Sequence, residues 1–209
     1  MNIVVYGVGG HGRVAADCLE STGKYRVIGF LDDRGEMHGQ LIDGVPILGG
    51  REVLPTLDKK YKVGHIVVGI ADGKVRQLLV NECIKNGISC LGVVHPSALI
   101  SSKALIEPTA MIFPGAVINV KARVGAFSII NTHATIEHDV NVSAYSHIAP
   151  GATLCGDCFV GEHSFVGAGS VVIQGVKIGK KVTIGAGSLV NKDIPDGVTA
   201  FGVPCKVQP

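Results

Sequence analysis

The chain has 209 residues, of which 46% are hydrophobic, 17% are charged and 29 are Gly, and its formal net charge is +2. No apolar run approaches the ~18 residues of a membrane-spanning helix, and the N-terminus lacks a signal peptide's basic start and cleavage site, so we expect a cytoplasmic protein that does not enter a membrane. The charges form no basic cluster, which argues against nucleic-acid binding, and six Cys without an export signal indicate reduced thiols.

The first part of the chain predicts a small α/β unit. In chain order, the expected elements are a strand at 2–6, a helix at about 12–21, a strand at 26–31, a turn-rich stretch, a helix from about 51, a strand at 65–70, a helix at 74–86 and a strand at 89–94. Alternating strands and helices of this kind favour a parallel sheet with right-handed crossovers.

Glycines and acids at the ends of the first two strands form a binding motif. Gly7, Gly9 and Gly12 stand in G-x-G-x-x-G register after the first strand, and Asp32 and Asp33 end the second. By spacing this is the dinucleotide-binding motif, in which a helix N-terminus faces a diphosphate. Residues 1–92 are nevertheless too few for the two halves of a dinucleotide fold. We therefore expect one nucleotide with its phosphates, and an NAD-binding regulator is the weaker alternative.

The rest of the chain follows a six-residue repeat. The position two before each apolar residue of the repeat is mostly Ala, Ser or Cys, and the position directly after it is often Gly or Asn. Three such hexads close a triangular coil with the branched and small residues inside, which predicts a left-handed parallel β-helix. Gly and Asn are expected to supply positive φ near the corners. The apolar residues are Val94, Ile100, Ile106, Ile112, Ile118, Val124, Ile130, Ile136, Val142, Ile148, Leu154, Val160, Val166, Val172, Ile178, Ile184 and Val190.

Two domains follow from these patterns. A small α/β Rossmann-like domain is expected over residues 1–92, and the left-handed parallel β-helix with a C-terminal tail over residues 93–209. The "CGDC" stretch has no second CxxC, and Cys158 stands at a small interior position. We therefore interpret these cysteines as packing residues and expect no metal site.

Seven motifs give the chain a resemblance to a known family. They are "GVGGHGRV", "GFLDD", "GVPILGG", "VVGIADGKVRQ", "VVHPSALIS", "IEHDV" and "GVPCK". Over its whole length the chain resembles the NeuD/PglD-like sugar acetyltransferases. The resemblance implies acetyl-CoA as co-substrate, an amino sugar carried on a nucleotide (or a related sugar hydroxyl) as acceptor, and a homotrimer with active sites between subunits.

Acetyl transfer from a thioester to an amine needs a base, an oxyanion donor and aligned substrates. His138 is the candidate general base, because it follows the inward Ile136 by two residues at an expected corner. Either Asp139 or Glu137 can orient it. The resembled family often has Glu directly after this His. This chain has Asp139 at that position, and its side chain is one methylene shorter than that of Glu. One coil further, Gly156 is expected to stack ~4.8 Å from His138 and to offer its N–H to the thioester carbonyl, a role that the resemblance also implies.

The resemblance implies further contacts in both domains. They are Gly9, Gly10, His11 and Gly12 on the diphosphate, Asp32 and Asp33 on the nucleoside, Asn131 on the acceptor, and His147, Gly156, Gly202, Pro204 and Lys206 on acetyl-CoA. His147 lies nine residues from His138, which is half a coil. Within one chain these two histidines are therefore expected on different faces.

The predicted function is N-acetylation of a nucleotide-linked 4-amino sugar by direct attack of the amine, for glycan biosynthesis. O-acetylation of a sugar or sialic-acid hydroxyl is the enzymatic alternative. A non-catalytic hexapeptide-repeat scaffold or binding protein is the alternative from another class, and the candidate base in "IEHDV" argues against it.

Overall fold

The computed structural model describes residues 1–208 and contains two compact units, Met1–Val94 and a second that begins at His95. The first unit is an α/β domain with a six-stranded sheet of order β3-β4-β2-β1-β5-β6, in which all neighbours are parallel except β3 and β4. Its elements are β1 (Asn2–Tyr6), α1 (Gly10–Ser21), β2 (Arg26–Leu31), a 3₁₀ turn (Gly35–Met37), β3 (Leu41–Ile42), β4 (Val45–Gly49), a 3₁₀ helix (Arg51–Thr56), α2 (Leu57–Tyr61), β5 (His65–Val68), α3 (Gly73–Lys85) and β6 (Ser89–Cys90).

The central strands form because their apolar residues are buried on both faces. Ile3, Val4 and Val5 of β1 are fully buried, as expected for a parallel sheet covered by helices. The hairpin of β3 and β4 is a departure from the sequence analysis, which gave this stretch as turns. Gly44 between the two strands has a φ of +82°, and it allows the tight reversal that pairs Ile42 with Val45.

The second unit confirms the β-helix. Its sheets are all parallel and run β24-β22-β19-β16-β13-β10, β23-β20-β17-β14-β11-β8 and β21-β18-β15-β12-β9, and β25 adds an antiparallel edge to β24. The strand β7 (Val93–Val94) ends the first unit. The two-residue strands of the second unit are β8 (Leu99–Ile100), β9 (Leu105–Ile106), β10 (Met111–Ile112), β11 (Val117–Ile118), β12 (Arg123–Val124), β13 (Ile129–Ile130), β14 (Thr135–Ile136), β15 (Asn141–Val142), β16 (His147–Ile148), β17 (Thr153–Leu154), β18 (Phe159–Val160), β19 (Phe165–Val166), β20 (Val171–Val172), β21 (Lys177–Ile178), β22 (Thr183–Ile184) and β23 (Leu189–Val190), followed by β24 (Thr199–Phe201) and β25 (Lys206–Val207).

Every strand of the repeat ends on a residue that the hexad pattern placed inside. From Ile112 to Val190 these residues are buried, whereas Ile100 and Ile106, in the first coil, are only partly covered. Val94, the first residue of the predicted series, is exposed, so its expected interior position is wrong. From Ala110 onward the small interior positions are buried as well. Where they are serines, the hydroxyl donates to a backbone carbonyl, as Ser146 does to Gly161 at 2.8 Å, so a polar group is tolerated in the core.

The corners correct one expectation about backbone geometry. From Ile112 to Ile184, positive φ falls three residues after the inward residue, at positions such as Lys121 (+59°), Asp139 (+59°) and Asp157 (+60°), and not directly after it. The Gly directly after the inward residue has a different cause. A Cβ on Gly125 would lie 2.6 Å from the backbone nitrogen of Ala144, so glycine is needed there for close packing of successive coils.

Helix α1 packs against the sheet through a glycine contact. A Cβ on Gly12 would overlap the carbonyl oxygen of Gly7, and a Cβ on Gly69 would lie 2.7 Å from the Gly12 Cα. Gly10, in the same helix, has no atom within 4 Å of its would-be Cβ. The helix therefore depends on Gly12 for its close approach to the sheet and not on Gly10.

We predict that Gly12→Ala lowers the free energy of unfolding by about 2 kcal/mol, because backbone atoms must move to admit the methyl group. Gly10→Ala is the matched control and should leave stability unchanged or slightly raised, since Ala favours helix by up to ~1 kcal/mol. Urea unfolding followed by circular dichroism measures both. Equal stability of the two variants would contradict the packing role of Gly12.

Candidate functional site

The N-terminus of α1 is open to an anion. Gly9 precedes the helix in an extended conformation (φ −66°, ψ 179°), no side chain caps the helix, and its first turn contains no acidic residue. A Cβ on Gly9 or Gly10 would meet nothing within 4 Å. Backbone N–H groups at such a terminus lack intrahelical acceptors and favour phosphate. Of the predicted diphosphate contacts, Gly9 and Gly10 line this open end, whereas Gly12 is buried against the sheet.

His11 belongs to the first turn of the same helix. Burial, together with the nearby positive charge of Arg76, lowers the pKa of His11 from 6.5 to about 4. The imidazole is therefore neutral at physiological pH. Arg76 is itself fully buried, and its guanidinium donates to the carbonyls of Ile70 (2.6 Å) and Ala71 (2.9 Å), which fixes the loop after β5.

Asp32 is held at the end of β2 by the neighbouring loop. Its Oδ2 accepts from the Val8 N–H at 3.2 Å, and the Arg34 guanidinium donates to both carboxylate oxygens at 2.8 and 3.0 Å. The hydrogen bonds from Arg34 lower the pKa of the Asp32 carboxyl, although burial opposes this. Asp32 thus connects β2 to the glycine loop after β1 and remains ionised.

Asp33 forms a second cluster with two residues that the sequence analysis did not single out. Its Oδ1 accepts from the Tyr6 hydroxyl at 2.6 Å and from the Arg51 N–H at 3.0 Å, and its Oδ2 accepts from the Arg51 guanidinium at 2.6 Å. Burial raises the pKa of the Asp33 carboxyl, but the hydrogen bonds from Arg51 and Tyr6 outweigh it and leave the pKa lowered. Burial and the hydrogen bond to Asp33 raise the pKa of Tyr6.

These residues line a cleft of about 350 Å³ at the carboxyl ends of β1, β2 and β5. Ligands of open α/β sheets bind at this edge, where the strand order reverses. Its lining is mixed, with the charged Asp33, Arg51 and Glu82 beside the apolar Ile70, Val75 and Leu78. The volume falls in the ordinary range for small-molecule sites, and the mixture of walls suits a nucleoside.

A second group of polar side chains lies at a corner of the β-helix, around His138. His138 precedes Asp139, and the Nδ1 of His138 lies 3.0 Å from the Oδ2 of Asp139. The Glu137 carboxylate instead accepts from the His138 backbone N–H at 3.4 Å. Of the two possible orienting carboxylates, the structure therefore brings Asp139 to the imidazole. The Nζ of Lys121 lies 4.0 Å from the other Asp139 oxygen.

Gly156 lies directly against the imidazole of His138. A Cβ added to Gly156 would lie 2.5 Å from the Nε2 of His138, so only glycine leaves room for the ring in its present position. The Gly156 N–H donates to no group among residues 1–208. The two residues border a cleft of about 400 Å³ together with Asp157, Gln174 and Gly175. The arrangement offers a base and an open backbone donor on one side of a space large enough for an acyl group.

His147 and Asn131 form a separate pair. The Nδ2 of Asn131 lies 3.0 Å from the Nε2 of His147, which is buried in β16. This strand belongs to a different sheet from the β14 strand that leads to His138. Within one chain the structure thus brings Asn131 to His147 and places both on another face than the His138 corner.

The tail residues lie around the last strands. Gly202 has a φ of +108°, which favours glycine, and Lys206 is exposed in β25.

Burial raises the pKa of the Cys158 thiol to about 11 and also raises the pKa of the Cys205 thiol. Neither sulfur is a ready nucleophile, since the thiolate is the reactive form.

Within residues 1–208, no group of three or more His, Cys, Asp or Glu side chains is arranged to hold a metal ion. None of the helices in that part of the chain combines the length and apolar character needed to cross a membrane.

Comparisons with known proteins agree with both units. Residues 2–83 match the model of the PglD N-terminal domain, and residues 157–192 match that of the bacterial transferase hexapeptide (six repeats). The chain is 29% identical over 96 residues to EpsC of Bacillus subtilis (strain 168), described as a probable polysaccharide biosynthesis protein. That match takes in 44% of this chain but only 16% of EpsC, so the chain spans a small part of that relative's length.

Solved structures match the chain over its full length. A variant of the GDP-perosamine N-acetyltransferase from Caulobacter crescentus, in complex with CoA and GDP-perosamine, has a TM-score of 0.94 at 33% identity, with 100% of this chain and 97% of that chain covered. The acetyltransferase domain of PglB from Neisseria gonorrhoeae FA1090, in complex with acetyl coenzyme A, has a TM-score of 0.91 at 34% identity, with 99% and 98% covered. WeeI from Acinetobacter baumannii AYE has a TM-score of 0.89 at 25% identity, with 100% of both chains covered.

The fold and these similarities define a hexapeptide-repeat acetyltransferase with an N-terminal α/β domain of the PglD type. The chain belongs to the NeuD/PglD-like sugar acetyltransferases.

The lowered pKa of His11 predicts a pH-dependent stability. Above pH 6.5 His11 is neutral in both the folded and the unfolded chain, whereas between pH 6.5 and about 4 the unfolded chain binds a proton that the folded chain does not. The free energy of unfolding therefore falls as the pH is lowered through this window, and His11→Asn should lose less than wild type between pH 7 and pH 5 in urea unfolding. The Asp and Glu side chains are the same in wild type and in His11→Asn, so their contribution to the pH dependence of the unfolding free energy is equal in the two proteins. Equal losses would show that His11 is not held neutral.

The contact of Asp139 with the imidazole predicts which carboxylate supports catalysis. Asp139→Asn should lower kcat for acetyl transfer by about tenfold or more, because the imidazole loses the group that fixes its tautomer and stabilises its protonated form. Glu137→Gln removes the same charge from the adjacent position and should stay within about twofold of wild type. Steady-state rates of CoA release measure both. A larger loss in Glu137→Gln would contradict the structural assignment.

Proposed function

We propose that this enzyme transfers the acetyl group of acetyl-CoA to the amino group, at the 4-position, of a nucleotide-linked amino sugar used in glycan biosynthesis. The single observation that carries the proposal is the stack of His138 on Gly156, with Asp139 behind the imidazole. The bound molecules of the Caulobacter protein, CoA and GDP-perosamine, support this acceptor class, and the acetyl coenzyme A of the PglB domain supports the donor.

The nucleotide part of the substrate is proposed to bind the α/β domain. The open N-terminus of α1, with Gly9, Gly10 and His11, suits the diphosphate, and the glycine contact at Gly12 brings the helix close enough to receive it. Asp32 and Asp33 are proposed nucleoside contacts. Their oxygens already have protein donors, so they enter the site as oriented, ionised acceptors.

The chemistry at the corner follows from the proton balance of amide formation. The amine nitrogen attacks the thioester carbon, and the carbonyl oxygen becomes an oxyanion that the Gly156 N–H stabilises. His138 accepts the proton that the nitrogen loses as the C–N bond forms, and Asp139 stabilises the resulting imidazolium. When the C–S bond breaks, that proton passes to the departing thiolate, which leaves as CoA-SH. The thiols of Cys158 and Cys205 take no part.

The assembly is proposed to be a homotrimer with the transfer sites between subunits. His138 and His147 lie on different faces of one β-helix, and a neighbouring subunit would bring a second copy of His147 to the His138 corner. In this arrangement His147, Gly202, Pro204 and Lys206 bind acetyl-CoA, and Asn131 positions His147 or the acceptor. A stable monomer in a molecular-mass measurement would rule out such a shared site.

Release of free thiol from acetyl-CoA, measured against a panel of GDP-, UDP- and dTDP-linked 4-amino sugars, tests the proposal. Wild type should turn over at least one of them, and His138→Ala should lower kcat by 10²-fold or more, in the range expected for general-base catalysis. Gly156→Ala should lower kcat as well, because its methyl group displaces the imidazole. The two substitutions together should cost little more than His138→Ala alone, since no ring remains to be displaced.

The panel also contains the matching sugars with a hydroxyl in place of the amine. Turnover of the hydroxyl sugars alone would replace the proposed N-acetylation by O-acetylation. Turnover of neither class would contradict the proposed function, and an unchanged rate in His138→Ala would exclude His138 as the base.

A further inference from the structure

The cleft beside His138 has two polar residues whose roles the mechanism leaves open. Asp157 and Gln174 line it together with His138, Gly156 and Gly175. Both are exposed, and no ion pair of the Asp157 carboxylate is found among residues 1–208. They therefore present a charge and a carboxamide to whatever enters the cleft.

The repeat fixes the order of side chains along this corner. Gly156 follows His138 by one coil, and Gln174 follows Gly156 by one coil, so the three stand in one column with strand spacings of ~4.8 Å. Successive corners are tied by hydrogen bonds of 3.0 Å, from the Asp157 N–H to the His138 carbonyl and from the Gly175 N–H to the Gly156 carbonyl. Because Gly156 has no side chain, the imidazole of His138 occupies the space over it, and the gap that remains before the Gln174 carboxamide is about one strand spacing.

The charges around this gap favour a cation. Besides Asp157, the groups near His138 are the carboxylates of Asp139 and Glu137 and the ammonium of Lys121, which pairs with Asp139. Asp139 and Lys121 largely offset one another, and Asp157 is the carboxylate that lines the cleft itself. A primary amine on a sugar is protonated near neutral pH, whereas a hydroxyl carries no charge.

We propose that Asp157 and Gln174 select the acceptor, Asp157 by attracting the ammonium form of the amine and Gln174 by hydrogen bonding to the adjacent part of the sugar ring. The inference rests on the proposed function, because it takes the acceptor to be an amine. Asp157 and Gln174 act on binding and specificity, while His138 and Gly156 act on the transfer itself.

The proton balance is compatible with binding the charged form. The ammonium bound beside Asp157 loses one proton to bulk water through the open cleft and becomes the neutral amine. The neutral amine then attacks the thioester, and the second proton leaves the nitrogen to His138 as described above. Each turnover thus releases one proton to solvent in addition to forming CoA-SH.

Asp157→Asn is the sharpest test, because Asn keeps the size of the side chain and tolerates the φ of +60° at this corner. We expect KM for the amine acceptor to rise about tenfold at low ionic strength, with kcat within about twofold, since the lost attraction acts on binding. The KM for acetyl-CoA should not change. Added salt should raise the amine KM of wild type toward that of the variant and have a smaller effect on the variant itself.

Glu107→Gln is the matched control, since it removes one exposed carboxylate from another corner of the same β-helix. Its KM values and salt response should equal those of wild type. Gln174→Ala should raise the amine KM about fivefold, as for one lost hydrogen bond, but should leave the salt response unchanged. If Asp157→Asn fails to fold, Asp157→Gly takes its place, because glycine adopts positive φ freely.

The outcomes separate this inference from the proposed function. If wild type acetylates an amine and Asp157→Asn has the same amine KM and salt response, the selection by Asp157 is wrong while the proposed function stands. An equal rise in KM for amine and hydroxyl acceptors would likewise overturn it, because a charge effect must act on the amine alone. If wild type acetylates no amine sugar at all, the proposed function fails and the inference falls with it.

Discussion

The parallel stacking of eighteen-residue coils is the constraint on which the catalytic half of this protein depends. Each coil hydrogen-bonds to the next in strict register, as in the pairing of Thr135 with Thr153 and of Ile136 with Leu154. Residues eighteen apart therefore lie on top of one another, and a functional group at one corner has neighbours fixed by the repeat. His138 and Gly156 are one such pair, so the proposed base and the proposed oxyanion donor need no flexible loop to align them.

The two domains prepare their sites by different means. In the β-helix the essential element is the missing side chain of Gly156, which leaves an open N–H and space for the imidazole. In the α/β domain the essential elements are ionised carboxylates that the protein has already oriented, with Arg34 on Asp32 and Arg51 on Asp33. The proposed site at the His138 corner depends on a missing side chain, and the proposed site in the α/β domain depends on a hydrogen-bonded network. Both arrangements are present in the protein without a bound substrate.

Much of this architecture could be predicted from sequence because the six-residue repeat is rigid. The phase of the hexads predicted the inward residues from Ile112 to Val190, and adding eighteen to 138 predicted the stacking of Gly156 on His138. The exact role of the corner glycines could not be predicted, because backbone crowding such as that at Gly125 is a tertiary property. For the same reason spacing could not choose between Glu137 and Asp139, nor reveal that Tyr6 and Arg51 converge on Asp33 from distant parts of the chain. A polar residue at the end of β1 was the available signal for Tyr6.

The most direct test of the account is a crystal structure of the enzyme with a non-hydrolysable thioether analogue of acetyl-CoA. We predict that the acyl oxygen accepts a hydrogen bond from the Gly156 N–H and that the acyl carbon faces the cleft bordered by the His138 imidazole. An acyl group bound at another face of the β-helix, with the Gly156 N–H left to solvent, would contradict it.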